Sequence, residues 1–316
     1  MNFQTMNYFL LLAQKRSFSR AAEELHITQQ TLSGHIAALE KEIGCQLFVR
    51  HVPLELTYGG EVFLRYATNF QRDYHSLIHE FGDIAHQQSG RLRLGISHTR
   101  GRVILPGLLA EFQQTFPKII VQVQENINDA LGENLINDNI DLAIGNFPKK
   151  ILGLEVQDFY KEEIVLLVAK KLLQQLYGKD TKTITSKLHK EEQINYLKGC
   201  PFLLNNPRDI AGRIGRNIMD KTGFHPLVKI QSENMVTLME MCLEGQGACF
   251  CPQNFIQPMF SAQELATLEC FALPSFDTQY MIRFAWNKEP YTWSIIHKFM
   301  ETAYKAITVK SLHQKV

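Results

Sequence analysis

The sequence predicts an α+β multidomain chain: a small helical head, a long linker helix and a C-terminal α/β domain of two lobes. Three observations carry that prediction. Apolar residues recur at helical spacing through residues 3–43. The Pro-free stretch 58–89 carries an apolar stripe with nearly heptad steps. Beyond Arg91 the period switches, and short alternating strands trade places with amphipathic helices. The chain of 316 residues therefore divides into 1–57, 58–89 and 90–310.

In the head, Phe3, Met6, Phe9, Leu10 and Ala13 define a first helix. Ser19 is placed to cap a short second helix whose Ala21, Ala22 and Leu25 face inward. His26-Ile27-Thr28 makes a tight turn. A third helix then buries Leu32, Ile36, Leu39 and Ile43, with Gly44 just past its end. The segments around Leu47–Arg50 and Leu54–Leu56 alternate about Pro53 and predict a small hairpin or wing. Small Ala21 and Ala22 let two helices approach across a short turn, the geometry that lays the second helix in a DNA major groove. Its outward residues are Gln29, Gln30, Thr31, Ser33, Gly34 and His35. Gln can pair bidentately with adenine, and Ser or Thr can bond to bases or phosphates. The pattern also fits a plain helical hairpin, because residues 1–57 hold five Lys+Arg against five Asp+Glu.

Between 58 and 89, apolar residues stand at 63, 66, 70, 74, 77, 81 and 84, flanked by Arg65, Arg72, Asp73, Glu80 and Asp83. A lone helix cannot bury such a stripe within itself. It reads as a dimerisation helix; packing against a neighbouring domain would satisfy it too.

The remainder reads as two α/β lobes, lobe I about 90–161 and 270–310, lobe II about 162–269. Chain crossings near 161–164 and 262–270 leave a cleft between them. Residues 174–198, polar and Lys-rich, read as a solvated insertion. Ser97-His98-Thr99 follows a parallel strand and opens a helix, where free amides favour anions and ligands of open α/β sheets sit. Asn128, Asn146 and Asn205 fall at analogous strand ends. Capping by Ser97 or Thr99, and turn roles for the three Asn, explain the same positions without a ligand.

Composition excludes several classes. With 45% apolar and 21% charged residues the chain is globular rather than disordered, and 33 Lys+Arg against 32 Asp+Glu give no electrostatic hint of a polyanion. Six cysteines without framework spacing read as free thiols of a cytoplasmic protein. Phe9–Ala13 is too short for a signal peptide, and no run reaches membrane-span length. There is no phosphate-cradling loop, nucleophile elbow or H-E-x-x-H, so neither enzyme chemistry nor a cofactor is expected. Gly245-Gln246-Gly247 lacks the third glycine of a dinucleotide site. Cys249 and Cys251 share a strand face and read as buried packing. A thiol switch is the sharper alternative, and no ligand spacing for a metal stands nearby.

The run Ser17-Phe18-Ser19-Arg20-Ala21-Ala22-Glu23-Glu24-Leu25-His26-Ile27-Thr28-Gln29-Gln30-Thr31-Leu32-Ser33, continued by Leu39-Glu40, Leu47-Phe48-Val49-Arg50, Leu56-Thr57 and Gly60, closely resembles the LysR-type transcriptional regulators. Leu92–Ser97, Asp141–Ile144 and Glu244–Gly247 extend the resemblance over the whole chain. It implies a winged helix–turn–helix, a coiled-coil dimer helix and a two-lobed sensor resembling periplasmic binding proteins. It also implies a homodimer or homotetramer, double-stranded DNA as partner and a small-molecule effector between the lobes. Relatives often carry Pro at the Gln30 position, a basic residue at Gly34 and an Arg-rich wing. Their absence leaves phosphate anchoring to Arg20, Arg50, Ser33 and helix N-termini, with His35 on the same face. A cytoplasmic small-molecule-binding protein with an interaction-only helical head is the competing reading from another class.

Overall fold

The computed structural model describes residues 2–49, 51, 53–85, 89–289 and 291–313. Helix α1 (Phe3–Lys15) begins where the Asn2 side chain accepts from the Thr5 amide, and it ends where Arg16 turns left-handed. Helix α2 (Phe18–Glu24) is capped by Ser17, which accepts from the Arg20 amide. The expected cap, Ser19, lies inside the helix, where its hydroxyl donates to Gln29 Oε1 at 3.1 Å. The α2 exit is a Schellman turn: the Ile27 amide reaches Ala22 O, the His26 amide reaches Glu23 O, and His26 adopts a φ of 54°. Thr28 caps α3 (Gln29–Ile43), and Gly44 closes it at φ 81°, a left-handed conformation that costs glycine nothing.

The wing is a short antiparallel pair, β1 (Phe48–Val49) and β2 (Glu55–Leu56). Glu40 of α3 holds its base by accepting from the Leu47 and Phe48 amides at 2.8 and 3.2 Å. Phe9, Leu12, Ala21, Leu32, Ile36 and Leu39 form the buried head core. Phe3 and Ile43, expected inside, are exposed because they lie on terminal turns beyond that core; Phe3 packs on Tyr74 instead, ring centroids 4.8 Å apart.

Thr57 caps α4 (Tyr58–Ile84), 27 residues long, which packs Phe63 edge-on against Phe9. Residues 1–88 together with 289–294 form one compact unit. The short segment is pinned to α4. Asp83 accepts from the Tyr291 hydroxyl at 2.5 Å and the Ser294 amide at 2.9 Å, and His79 stacks on Trp293 at 4.2 Å. The α4 stripe itself stays open in the single chain: Tyr66, Phe70, Tyr74, Leu77, Phe81 and Ile84 are all exposed.

The second unit comprises 89–288 and the chain from 295 onward. Its first lobe runs β3 (Gly90–Ile96), α5 (His98–Thr115), β4 (Ile119–Glu125), α6 (Asn128–Ile136) and β5 (Leu142–Gly145), with β3 parallel to both β4 and β5. Strand β6 (Leu154–Ala169) then leads into α7 (Lys170–Tyr177) and α8 (Thr181–Glu191). The second lobe continues with β7 (Phe202–Asn205), α9 (Ile210–Thr222), β8 (Val228–Ser232), α10 (Met235–Leu243) and β9 (Ala248–Pro252). After α11 (Gln253–Met259), α12 (Ala262–Leu265) and β10 (Leu268–Phe271), the chain returns through β11 (Gln279–Asn287) to α13 (Ser294–His313).

Three expectations change here. The sheet is mixed rather than parallel throughout: β11 runs antiparallel to β5 and β6, because it re-enters the first lobe without a crossover helix. Strand β6 passes from one lobe to the other at Glu163/Ile164, where its partner changes from β11 to β9. The return crossing, expected near 262–270, runs through 272–278, because Leu268–Phe271 remain hydrogen-bonded to Leu166–Ala169 in the second lobe. Residues 174–198 are not a solvated insertion either. Most of them are helical, and Leu188, Ile194 and Leu197 reach the second-lobe core beside Leu173. The lysines of that segment mark only its outer face.

Candidate functional site

The head presents α3 on a frame set by local bonds. Gln29, Gln30, Thr31 and Gly34 are exposed, Ser33 and His35 half-buried, and Arg20 lies exposed on α2. Two of these side chains are already engaged: Gln29 with Ser19, and the Thr31 hydroxyl with Thr28 at 2.8 Å. His35 meets the edge of Tyr8 at 5.1 Å between ring centroids. Arg50, expected to anchor phosphate, lies outside the described residues.

The second unit holds a cavity of about 360 Å³. Most of its wall is made where the carboxyl end of a strand runs into a helix, where an α/β sheet leaves helix amides pointing outward. Ser97–Arg100 follow β3, Glu125–Asn128 follow β4, Asn205 and Arg208–Ala211 follow β7, and Glu233–Met235 follow β8. Pro252, Phe255 and Tyr280 complete it. Of the residues singled out from sequence, Ser97, His98, Thr99, Asn128 and Asn205 come together here. Asn146 does not: its amide donates to Asn128 Oδ1 and its side chain to Met281 O, at 3.0 and 2.9 Å, so it braces the wall from behind.

Arg100, on the cavity lining, belongs to an ion pair that the sequence did not disclose. Arg100 and Glu162 are both almost wholly buried and meet in a bidentate contact, Nε–Oε1 3.0 Å and Nη2–Oε2 2.9 Å. Tyr160 and Tyr280 donate their hydroxyls to the two Glu162 oxygens at 2.6 and 2.5 Å. Arg100 Nη1 donates to Ser97 Oγ at 2.8 Å, so that hydroxyl is held by Arg100 rather than capping α5. Burial by itself would raise the Glu162 pKa, but the Arg100 charge and the three donors outweigh it and hold the carboxylate below its usual range. Across the cavity, Asp209 caps α9 by accepting from the Ala211 amide. Burial pushes its carboxyl up, against the pull of the Ala211 and Gly212 amides, the Arg100 charge and the Asn205 side chain. Gly212 lets α9 start this close, since a Cβ there would stand 2.2 Å from Asn206 O.

A family model described as the LysR substrate binding domain matches residues 85–306, and one described as a bacterial regulatory helix-turn-helix protein of the lysR family matches residues 3–61. The chain belongs to the LysR family. It is a LysR-type DNA-binding transcriptional regulator with an effector-binding domain. An uncharacterized HTH-type transcriptional regulator of Bacillus subtilis, YcgK, is 27% identical over 80% of each chain. A probable RuBisCO transcriptional regulator of Trieres chinensis is 25% identical over 94% of each. Among solved structures, full-length OxyR from Pseudomonas aeruginosa superposes with a TM-score of 0.67 at 20% identity, over 97% of this chain and 94% of that one. CbnR in complex with its target DNA gives 0.61 at 20% identity, over 97% and 100%. At that identity these two structures speak for the LysR fold, and the residue assignments rest on the geometry of this chain.

Among the described residues no group of His, Cys, Asp and Glu is arranged to hold a metal, and no helix is long and apolar enough to cross a membrane. Sequence reasoning missed Arg100, Glu162, Tyr280 and Asp209. A signal existed for Asp209, an Asp just before an amphipathic helix, which is a capping position.

Proposed function

We propose that α3 reads base edges with Gln30 as its principal amide, that Arg20 holds phosphate, and that the inter-lobe cavity takes the small-molecule effector. We further propose that two chains pair through the open α4 stripe as a homodimer. The observation that carries the DNA reading is the state of the α3 amino terminus. Gln29 and Thr31 are committed to intramolecular bonds, while Gln30 is exposed beside them, an arrangement that fixes the helix and leaves one amide for a base. The cavity reading is supported by the convergence of helix starts from both lobes on one space large enough for a metabolite.

The experiment compares Gln30→Ala and Arg20→Ala on a selected operator and on random duplex, as a function of salt. Gln30→Ala loses about 1–3 kcal/mol on the operator and little on random DNA. Arg20→Ala weakens both and lowers the salt slope by about one. Equal losses on both duplexes for Gln30→Ala would remove its base-reading role.

A further inference from the structure

The two walls of the cavity differ in the charge they invite. On the first lobe, α5 and α6 begin without any side-chain cap: Ser97 Oγ is turned to Arg100, and the α6 cap position is Ile127. The starts of both helices, Ser97–Arg100 and Ile127–Asn128, line the cavity, and an uncapped helix start leaves first-turn amides as donors, the arrangement that receives a carboxylate. On the second lobe the corresponding helix starts are closed by their own side chains, Asp209 on α9 and Asn234 on α10. What that wall adds is carboxylate: half-buried Asp209 and exposed Glu233, the latter accepting from Asn206 Nδ2 at 2.7 Å. The guanidinium of Arg100 on the lining is paired bidentately with Glu162, and its charge also acts on Asp209. The other charged groups of the lining are Arg208 at the exposed mouth and the Glu125–His98 pair, 2.6 Å apart.

A dicarboxylate lying across this space would set one of its charges against Asp209. An amine would leave the uncapped amides unanswered. We infer that the effector is a small zwitterion, an α-amino acid, with its carboxylate on the α5 and α6 amino termini and its ammonium toward Asp209. The inference rests on the cavity being the effector site. The direction of the Asp209 pKa shift agrees with it: in this half-buried carboxyl, desolvation outweighs the Ala211 and Gly212 amides, the Arg100 charge and the Asn205 side chain, and an incoming ammonium would offset that desolvation.

The test is calorimetric titration of the full-length protein with the proteinogenic L-amino acids. For each binder, the acid lacking the amino group and the amine lacking the carboxylate follow, with succinate and malate as dicarboxylate probes. At least one amino acid binds saturably, and each half-molecule loses about a hundredfold. Asp209→Asn, which keeps a capping side chain on α9, loses about tenfold or more for the amino acid, and Thr99→Val weakens it as well. If succinate or malate binds and Thr99→Val weakens it, the cavity stands and the zwitterion assignment falls. If an amino acid binds and neither variant changes its affinity, the cavity reading falls too. Saturable binding by no amino acid also overturns the inference.

Discussion

At the scale of single residues, the buried Arg100–Glu162 pair is costly to disturb. Both groups lie out of water, and four hydrogen bonds saturate the two carboxylate oxygens. Removing one partner strands the other, so Arg100→Met lowers stability by about 3–5 kcal/mol, while Arg100→Met with Glu162→Met recovers only part of it, because the Tyr160 and Tyr280 hydroxyls then lose their acceptor. Chemical denaturation measures both. The pair also carries pH dependence of definite sign. Because the Glu162 pKa is depressed in the folded chain, its contribution is complete above the ordinary carboxylate pKa and fades as pH falls through the folded value. The double Met variant therefore loses less stability on acidification than the native pair, and equal acid slopes would exclude that linkage. The cysteines follow the same logic of burial. Burial is the main cause that pushes Cys270 up to about 11 and Cys200 to about 12, and Cys249 and Cys251 are wholly buried. Enclosed thiols are poorly accessible to oxidants and partners, which favours packing over a thiol switch.

At the scale of elements, α4 is the helix whose burial is unfinished. Phe70 and Leu77 are about half exposed in the single chain, so their replacement disturbs no interior. Replacing both with Glu puts charges into the pairing seam proposed for the homodimer, where an unpaired buried charge costs several kcal/mol. The expected product is a folded monomer, read by sedimentation velocity with circular dichroism as the check on helicity. A double variant that still sediments as the native oligomer would remove α4 from the interface. The wing shows the opposite economy. Only four residues of strand are paired there, yet Glu40 fastens the wing to the α3 it flanks.

At the scale of the whole molecule, regulation requires that a ligand prefer one arrangement of the two lobes over another, and it can shift DNA binding only by that preference. Two chain crossings, β6 at Glu163/Ile164 and the return through 272–278, are where the lobes can reorient. Glu162 and Tyr280 stand opposite each other on these crossings and are joined to α5 through Arg100, so the cavity lining there and the crossing strands are one bonded set. Thr99 belongs to the cavity but not to that set. Thr99→Val is expected to abolish the change in footprint caused by whichever ligand shifts the native protein, with unliganded operator affinity kept within about threefold. A Thr99→Val footprint that shifts like the native one would place the ligand elsewhere.

The sequence by itself determined what is local in the chain: helix and strand periods, the turn at His26–Thr28, Gly44 at the end of α3, the open stripe of α4 and the strand-to-helix loop at Ser97. Each of these is set within a few residues by backbone bonding and side-chain spacing, so its signal is contained in a short window. The family resemblance, carried by the same windows, supplied the architecture and the regulator function that the family models establish. Tertiary structure alone decided the rest. In His98-Thr99-Arg100-Gly101-Arg102 nothing separates the buried arginine from the exposed one, because burial comes from a glutamate 62 positions away and a tyrosine on β11. The β10 pairing that moves the return crossing, and the leucines that draw 174–198 onto the core, are likewise made by distant partners. A short strand or an amphipathic helix states that it has a face to bury; which surface covers that face depends on how the whole chain closes.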